Sequence, residues 1–227
     1  MSNNSVSFLR ISIHPSTVII QGEPYKRVLK EIGVSINKSI IELEQIKKTN
    51  EFPEEYLESI AEDECLVVEH LLGTAFVLCQ GYITKVVSKI KQYHKLAEHK
   101  GAKLTTTDGQ KNSILKFAYN QNKFSSSIQL IDGFANYFKH RDEWNLNWEK
   151  LNDNQKKTAE VIKEVLTKPY NETNIILAGS YYLGNTEYNN PLIFFDKLEQ
   201  WHLSLASAYD KELIAYDTAY RDGTQWK

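Results

Sequence analysis

The stretch 65–79, "CLVVEHLLGTAFVLC", decides the fold. It is apolar on nearly every side of a helical projection, which places it at the centre of a helical bundle. It sits inside a longer helical pattern. Pro53 opens that pattern, where proline is tolerated in a first turn, and Glu54, Glu55 and Glu58 suit the positive end of a helix. The pattern runs to about His99. Unbroken, it would span roughly 70 Å at about 1.5 Å per residue, too long for a compact domain. Gly73 and Gly81 are therefore the expected places of a bend or break.

Working outward, Tyr25, Val28, Leu29, Ile32, Ile36, Ile40, Leu43 and Ile46 recur at three- and four-residue steps, marking an amphipathic helix from Pro24 that Thr49-Asn50 ends. Before it, Leu9, Ile11 and Ile13 alternate with polar residues, and His14-Pro15-Ser16 turns the chain toward Thr17–Ile20. That pattern predicts a short hairpin over residues 6–20. After His99, Gly101 to Gly109 reads as a polar loop and residues 110–120 as a weaker helix. Lys123 to about Trp144 predicts a strong helix, with Phe124, Ile128, Ile131, Phe134, Ala135 and Phe138 on its apolar side. Asp153 caps a helix to Lys168, stopped by Pro169, and Asn174 to Leu183 is ambiguous. Asn190-Pro191 starts a last helix to about Tyr220, with Leu192, Phe195, Leu198, Trp201 or His202, Leu205 and Ala208 inward. The expected fold is mainly α: one domain over residues 1–227, with a bundle of five to seven helices in 23–227 and a small N-terminal β-hairpin extension in 1–22.

The 227 residues include 13 Tyr, 9 Phe and 4 Trp, enough apolar mass for a sizeable core. Cys65 and Cys79 fall on one helix, roughly 20 Å apart along its axis, too far for a disulfide, so a reducing cytoplasm is expected. Two thiols without a CxxC pattern make no zinc site, and neither a metal nor a cofactor is expected. The N-terminus lacks a basic start followed by an apolar run. The most apolar run, Leu71 to Cys79, is far shorter than the ~20 residues of a membrane span, so no membrane partner is expected.

Charge is unevenly spread. From Leu71 to Ile131 there are nine lysines against Glu98 and Asp108, while the whole chain carries −2. Lys85, Lys89, Lys95 and Lys103 lie in this segment and are the candidate contacts for an RNA backbone. The other reading pairs the lysines with the ten acids of residues 42–69, internal matching worth little per exposed pair. Lysine supplies point charge and reads no sequence, so a nucleic-acid partner would be held by its backbone.

"GFANYFKHRDEW", residues 133–144, holds the candidate chemistry. On a helix, Gln129, Asp132, Asn136, His140 and Glu143 stack on one polar face. Asn136 and His140, four residues apart, are placed to share a ligand. His140 has the acid–base range for proton transfer near neutral pH, Asn136 can orient its ring, and Lys139 or Arg141 can hold a phosphate. Those parts suffice for metal-free RNA cleavage by an internal 2′-OH. A polar stripe is also what any surface helix shows. Arginine is scarce, four against 23 lysines, yet one of the four adjoins His140.

The Asn136-x-x-x-His140 spacing, late in an all-helical chain, resembles the HEPN superfamily of prokaryotic toxin, antitoxin and phage-defence proteins. The resemblance implies a metal-independent ribonuclease working as a homodimer, with two motifs meeting in one cleft. Only Asn136 and His140 match; the family's Arg position is Ala135 here. Two functions follow as expectations. One is an RNA-engaging protein of defence or toxin–antitoxin type, with or without endoribonuclease activity. The other is a non-catalytic helical module that contacts a protein partner, such as an immunity or regulatory protein.

Other groups fit structural roles better. Glu199-x-x-His202 has the spacing of a di-iron ligand pair, but no second such pair occurs, and His202 lies on an apolar face. Glu69-His70 interrupts the apolar helix and reads as a hydrogen-bonded defect or a site. His94 and Glu98 read as solvated neighbours, and the tryptophans as core or interface anchors.

Overall fold

The computed structural model describes residues 15–49, 53–99, 103–117, 125–144, 150–166 and 174–221. Among them are seven α-helices: α1 (Pro15–Thr49), α2 (Glu54–His99), α3 (Lys111–Leu115), α4 (Ser127–His140), α5 (Asp153–Lys163), α6 (Ile175–Tyr182) and α7 (Leu192–Arg221), with a 3-10 turn at Arg141–Glu143 after α4. The fold is mainly helical, and no strand occurs among the described residues. The expected hairpin lies mainly outside those residues, which begin at Pro15, already in helix. Pro24, the expected start of α1, lies inside it.

The chain forms two compact units. One comprises residues 25–80 and 130–196; the other comprises 1–24, 81–129 and 197–227. α2 runs unbroken for 46 residues and gives its first part to one unit and its last part to the other. That division answers the length problem: a helix too long for one core supplies two. By length and composition α2 also passes as a possible membrane span, since an 18-residue window has mean hydropathy 1.5, but half of that window is buried in the fold. The apolar stretch is not enclosed on every side as expected. Val68, Leu72, Ala75, Phe76 and Cys79 are buried, whereas Cys65, Leu66 and Val67 are exposed.

In the unit built on residues 25–80 and 130–196, Phe76 is the hub. Its ring lies 5.3 Å from Phe134 and 4.6 Å from Phe194 between centroids. Leu29, Ile32 and Ile36 of α1 line the same unit's core, joined by Ile131, Ile162 and Ile176. Aromatic contacts of this kind add about 0.5–1.5 kcal/mol beyond area burial. In the other unit, Tyr82, Ile83, Val86, Ile90 and Tyr93 of α2 join Ile114, Leu115, Leu205 and Tyr209 in the buried set. Trp201 is an anchor there, its Nε1–H donating to Ile114 O at 3.0 Å.

No break occurs at Gly73 or Gly81. At Gly73 the missing side chain serves packing: a Cβ there would lie 2.2 Å from the Phe138 ring. Two helices can touch at that point because one of them has no side chain. Gly81 is exposed. Two substitutions of the same chemistry should therefore diverge. Gly73→Ala forces the ring to move and should lose roughly 1–3 kcal/mol by overpacking. Gly81→Ala should gain about 1 kcal/mol from helix propensity. Urea unfolding midpoints report both, and equal shifts would contradict this reading.

Candidate functional site

α4 begins later than the hydrophobic pattern suggests, because Ser126 caps it. Ser126 Oγ accepts from Gln129 N at 3.1 Å, and Gln129 Oε1 accepts from Ser126 N at 3.0 Å. This reciprocal pair fixes the first turn. Gln129 is thereby used, its Nε2 also donating to Asn112 Oδ1 at 2.9 Å.

As a plain surface stripe, the polar face of α4 would meet water along its length. It does so only at its C-terminal end. Gln129 and Asp132 are each 8% exposed. Gln80 of α2 reaches this stripe: its Nε2 donates to Asp132 Oδ1 and to Asn136 Oδ1, both at 2.9 Å. Asn136 Nδ2 lies 3.5 Å from Asp132 Oδ2. Buried polar groups need partners, and here an amide on a neighbouring helix supplies them. Asn136 is therefore turned toward Gln80 and Asp132, and no hydrogen bond joins it to His140.

The end of α4 separates the other candidates. His140 is exposed, with Nδ1 3.3 Å from Glu143 Oε1. Lys139 is exposed beside it. Arg141 turns the other way. Its Nη1 donates to Glu69 Oε1, and its Nη2 lies 2.9 Å from His70 Nε2. Its guanidinium carbon stands 5.0 Å from the centre of the Phe138 ring. Glu69 Oε2 also accepts from Asn174 Nδ2 at 2.8 Å, while Asn174 Oδ1 caps α6 through Leu177 N at 3.0 Å. His70 Nδ1 lies 2.7 Å from Leu66 O, a pure acceptor. The proton thus sits on Nδ1, which leaves Nε2 to accept from Arg141. Glu69-His70, two residues with no evident partner in the sequence, form one cluster with Arg141 and Asn174 that ties α2 to the 3-10 turn and α6. The structure brings together Glu69, His70 and Arg141; it does not bring together Asn136, His140 and Arg141.

The candidate lysines lie in the other unit. Lys85, Lys95 and Lys103 are exposed, as is Lys91, and Lys89 is half-buried. The units differ sharply in charge. The one holding these lysines has 14 basic and 8 acidic residues, net +6; the other has 13 and 21, net −8. We call them the basic and acidic units.

Two histidines of the basic unit hold interior bonds. His202 is buried and its Nδ1 lies 2.8 Å from Tyr82 OH. Burial, aided by the nearby Lys89 charge, pushes its pKa down to about 4. His94, expected to be solvated, is half-buried instead. Its Nε2 lies 2.8 Å from Tyr209 OH, and that hydroxyl lies 2.7 Å from Thr107 Oγ1. Burial lowers the His94 pKa against the opposing charges of Glu212 and Asp108. Gly109, at φ +75°, sits where a Cβ would come within 3.0 Å of the His94 ring. Glu212 receives four hydrogen bonds from Thr105 and Thr106. Burial alone would raise its pKa, but those bonds hold it below the ordinary carboxylate value. The run "TTTDG" at 105–109 signals a turn in the sequence; nothing local to it signals a glutamate over a hundred residues away.

Among the described residues, no group of three or more His, Cys, Asp or Glu side chains gathers to hold a metal ion. Both cysteines are free, and burial raises the Cys79 pKa. No family profile, curated protein or solved structure matches the chain.

Two measurements check this geometry. Removing one member of the half-buried Arg141–Glu69 pair strands its partner, so Arg141→Met should cost roughly 3 kcal/mol, and a double-mutant cycle with Glu69→Gln should show clear coupling. Additive effects would contradict the pair. His202 has a lower pKa folded than unfolded, so its contribution is complete above the unfolded value near ~6.5 and is lost as pH falls toward the folded value. Unfolding free energy should drop by about 3 kcal/mol from this residue between those pH values. His202→Gln should flatten the profile, and an unchanged slope would contradict the assignment.

Proposed function

We propose that this chain is an RNA-engaging helical module that binds phosphate backbone through its basic unit and keeps its HEPN-like motif in a structural, non-catalytic role. The observation that carries the reading is the segregation of charge: net +6 in one unit and −8 in the other, with Lys85, Lys91, Lys95 and Lys103 exposed in the first. A surface of this kind releases counterions on meeting a nucleic acid, and that release supplies sequence-independent affinity.

The non-catalytic part rests on what the motif residues already do. Arg141 already spends Nη1 on Glu69 and Nη2 on His70, and freeing it from Glu69 in this half-buried pair costs up to roughly 3 kcal/mol. Asn136 is bonded to Gln80, so it does not orient His140. Ala135, at the family's Arg position, is fully buried. Among the described residues His140 has Glu143 as its partner, and an exposed imidazole beside a carboxylate lacks the positioned second group that metal-free cleavage needs. The shared-cleft argument for a homodimer loses its basis with the catalytic reading. The two free thiols fit the cytoplasm as the site of action.

A second reading, the protein-interaction module, is favoured by one observation. In the acidic unit, Tyr56, Leu66 and Val67 of α2 are exposed amid Glu54, Glu55, Glu58, Glu62 and Asp63. Apolar groups amid one sign of charge suit a basic, partly apolar protein surface.

The two readings separate in one experiment. RNA affinity should fall steeply with salt, and the Lys91→Gln, Lys95→Gln, Lys103→Gln triple variant should make the log–log slope shallower by about 2 for a single strand. An absent or unchanged slope favours the protein-partner reading. In EDTA the protein should leave RNA intact. Cleavage that His140→Ala abolishes would overturn the non-catalytic reading.

A further inference from the structure

The Thr105–Thr106 segment presents an unusual set of donors to one carboxylate. Thr105 N and Oγ1 both donate to Glu212 Oε1, the hydroxyl at 2.8 Å. Thr106 N and Oγ1 both donate to Oε2, at 3.1 and 2.6 Å. Each oxygen thus receives one backbone N–H and one hydroxyl. Successive backbone N–H groups aimed at one point form an anion-binding concavity, and the hydroxyls complete it.

We propose that Thr105 and Thr106 form a phosphate-binding cradle that the chain's own Glu212 carboxylate occupies until a phosphate monoester displaces it. Three observations support this assignment. First, the segment has anchors besides Glu212. Leu104 is buried, and Thr107 anchors the next residue through Tyr209 OH at 2.7 Å and by accepting from Gly109 N at 3.2 Å. Second, the site is open: Thr105 is exposed, and Thr106 and Glu212 are half-buried. Third, the local charge suits an anion of higher charge than a carboxylate. Lys103 is exposed two residues away in a unit of net +6, and the one other acid of the loop, Asp108, is engaged by Gln110 N at 2.8 Å and by Ser113.

The geometry of a carboxylate and that of two phosphate oxygens are alike, so the same four donors serve both. A second charge and a third oxygen favour phosphate where cations are near. Glu212 then acts as a tethered competitor, and an external ligand binds only as strongly as the fraction of empty cradle allows. The proposal does not rest on RNA engagement by the lysines.

The test uses the full chain and inorganic phosphate at fixed ionic strength, with acetate as a separate arm. In Glu212→Ala, phosphate should produce saturable shifts of the Thr105 and Thr106 amide resonances. Wild-type protein should need at least about tenfold more phosphate for the same shift. Adding Thr105→Val and Thr106→Val to Glu212→Ala should remove the response. Should Glu212→Ala fail to fold, Glu212→Gln is read in the same way. A folded variant without a saturable response overturns the proposal, as does equal affinity in wild type and variant. Acetate binding as tightly as phosphate overturns the phosphate assignment. None of these variants alters a lysine, so failure here leaves the salt-dependence result for RNA independent.

Discussion

Glycine 73 of α2 lets the ring of Phe138 sit directly on the helix backbone. Around that contact α2 and α4 come close enough for Gln80 to reach Asp132 and Asn136, and for Glu69 and His70 to reach Arg141. A methyl group at position 73 would disturb the whole set. The acidic unit is thus organised by close helix contact first, and its polar bonds follow from it. The Phe76–Phe134–Phe194 cluster fills the core beside those bonds. The polar groups add directional constraints that aromatic packing alone does not impose.

The same contact decides the chemistry available to the motif. Residues adjacent in sequence face different environments: Asn136 inward to an amide, His140 outward to water, Arg141 across to a carboxylate. A catalytic group needs its partners held at one reacting centre. Here Asn136 and Arg141 are held at two separate helix contacts, and His140 meets only its near neighbour Glu143 at the exposed end of α4. The basic unit, by contrast, carries exposed lysines along the last part of α2 and at Lys103 in the loop that follows.

Much of the helical layout was legible in the sequence because apolar periodicity reports which face is buried. α1, α2 and α7 carry such periodicity over many turns. Helix ends were less legible. Asn152, not Asp153, caps α5 with a capping box completed by Gln155, and the helix ends at Lys163, short of Pro169. Ser126 similarly shortens α4. Both signals are single side chains that compete with neighbours of the same chemistry. The polar stripe of α4 misled for a different reason: periodicity separates polar from apolar faces but does not say whether another helix brings a partner for the polar one. Gln80 lies 52 residues from Asp132, Arg141 lies 72 from Glu69, and Glu212 lies 107 from Thr105. Pairings at such separations leave no local mark. Gly73 misled because a missing side chain signals a bend and a close approach equally well.

The account stands on the division between a structural motif and a binding surface elsewhere. The most direct test is the RNA affinity of folded Arg141→Met protein, measured beside wild type at one salt concentration. The account predicts a less stable protein whose folded fraction binds RNA as wild type does. A folded variant that loses RNA binding, with stability unchanged, would place Arg141 on the ligand and contradict it.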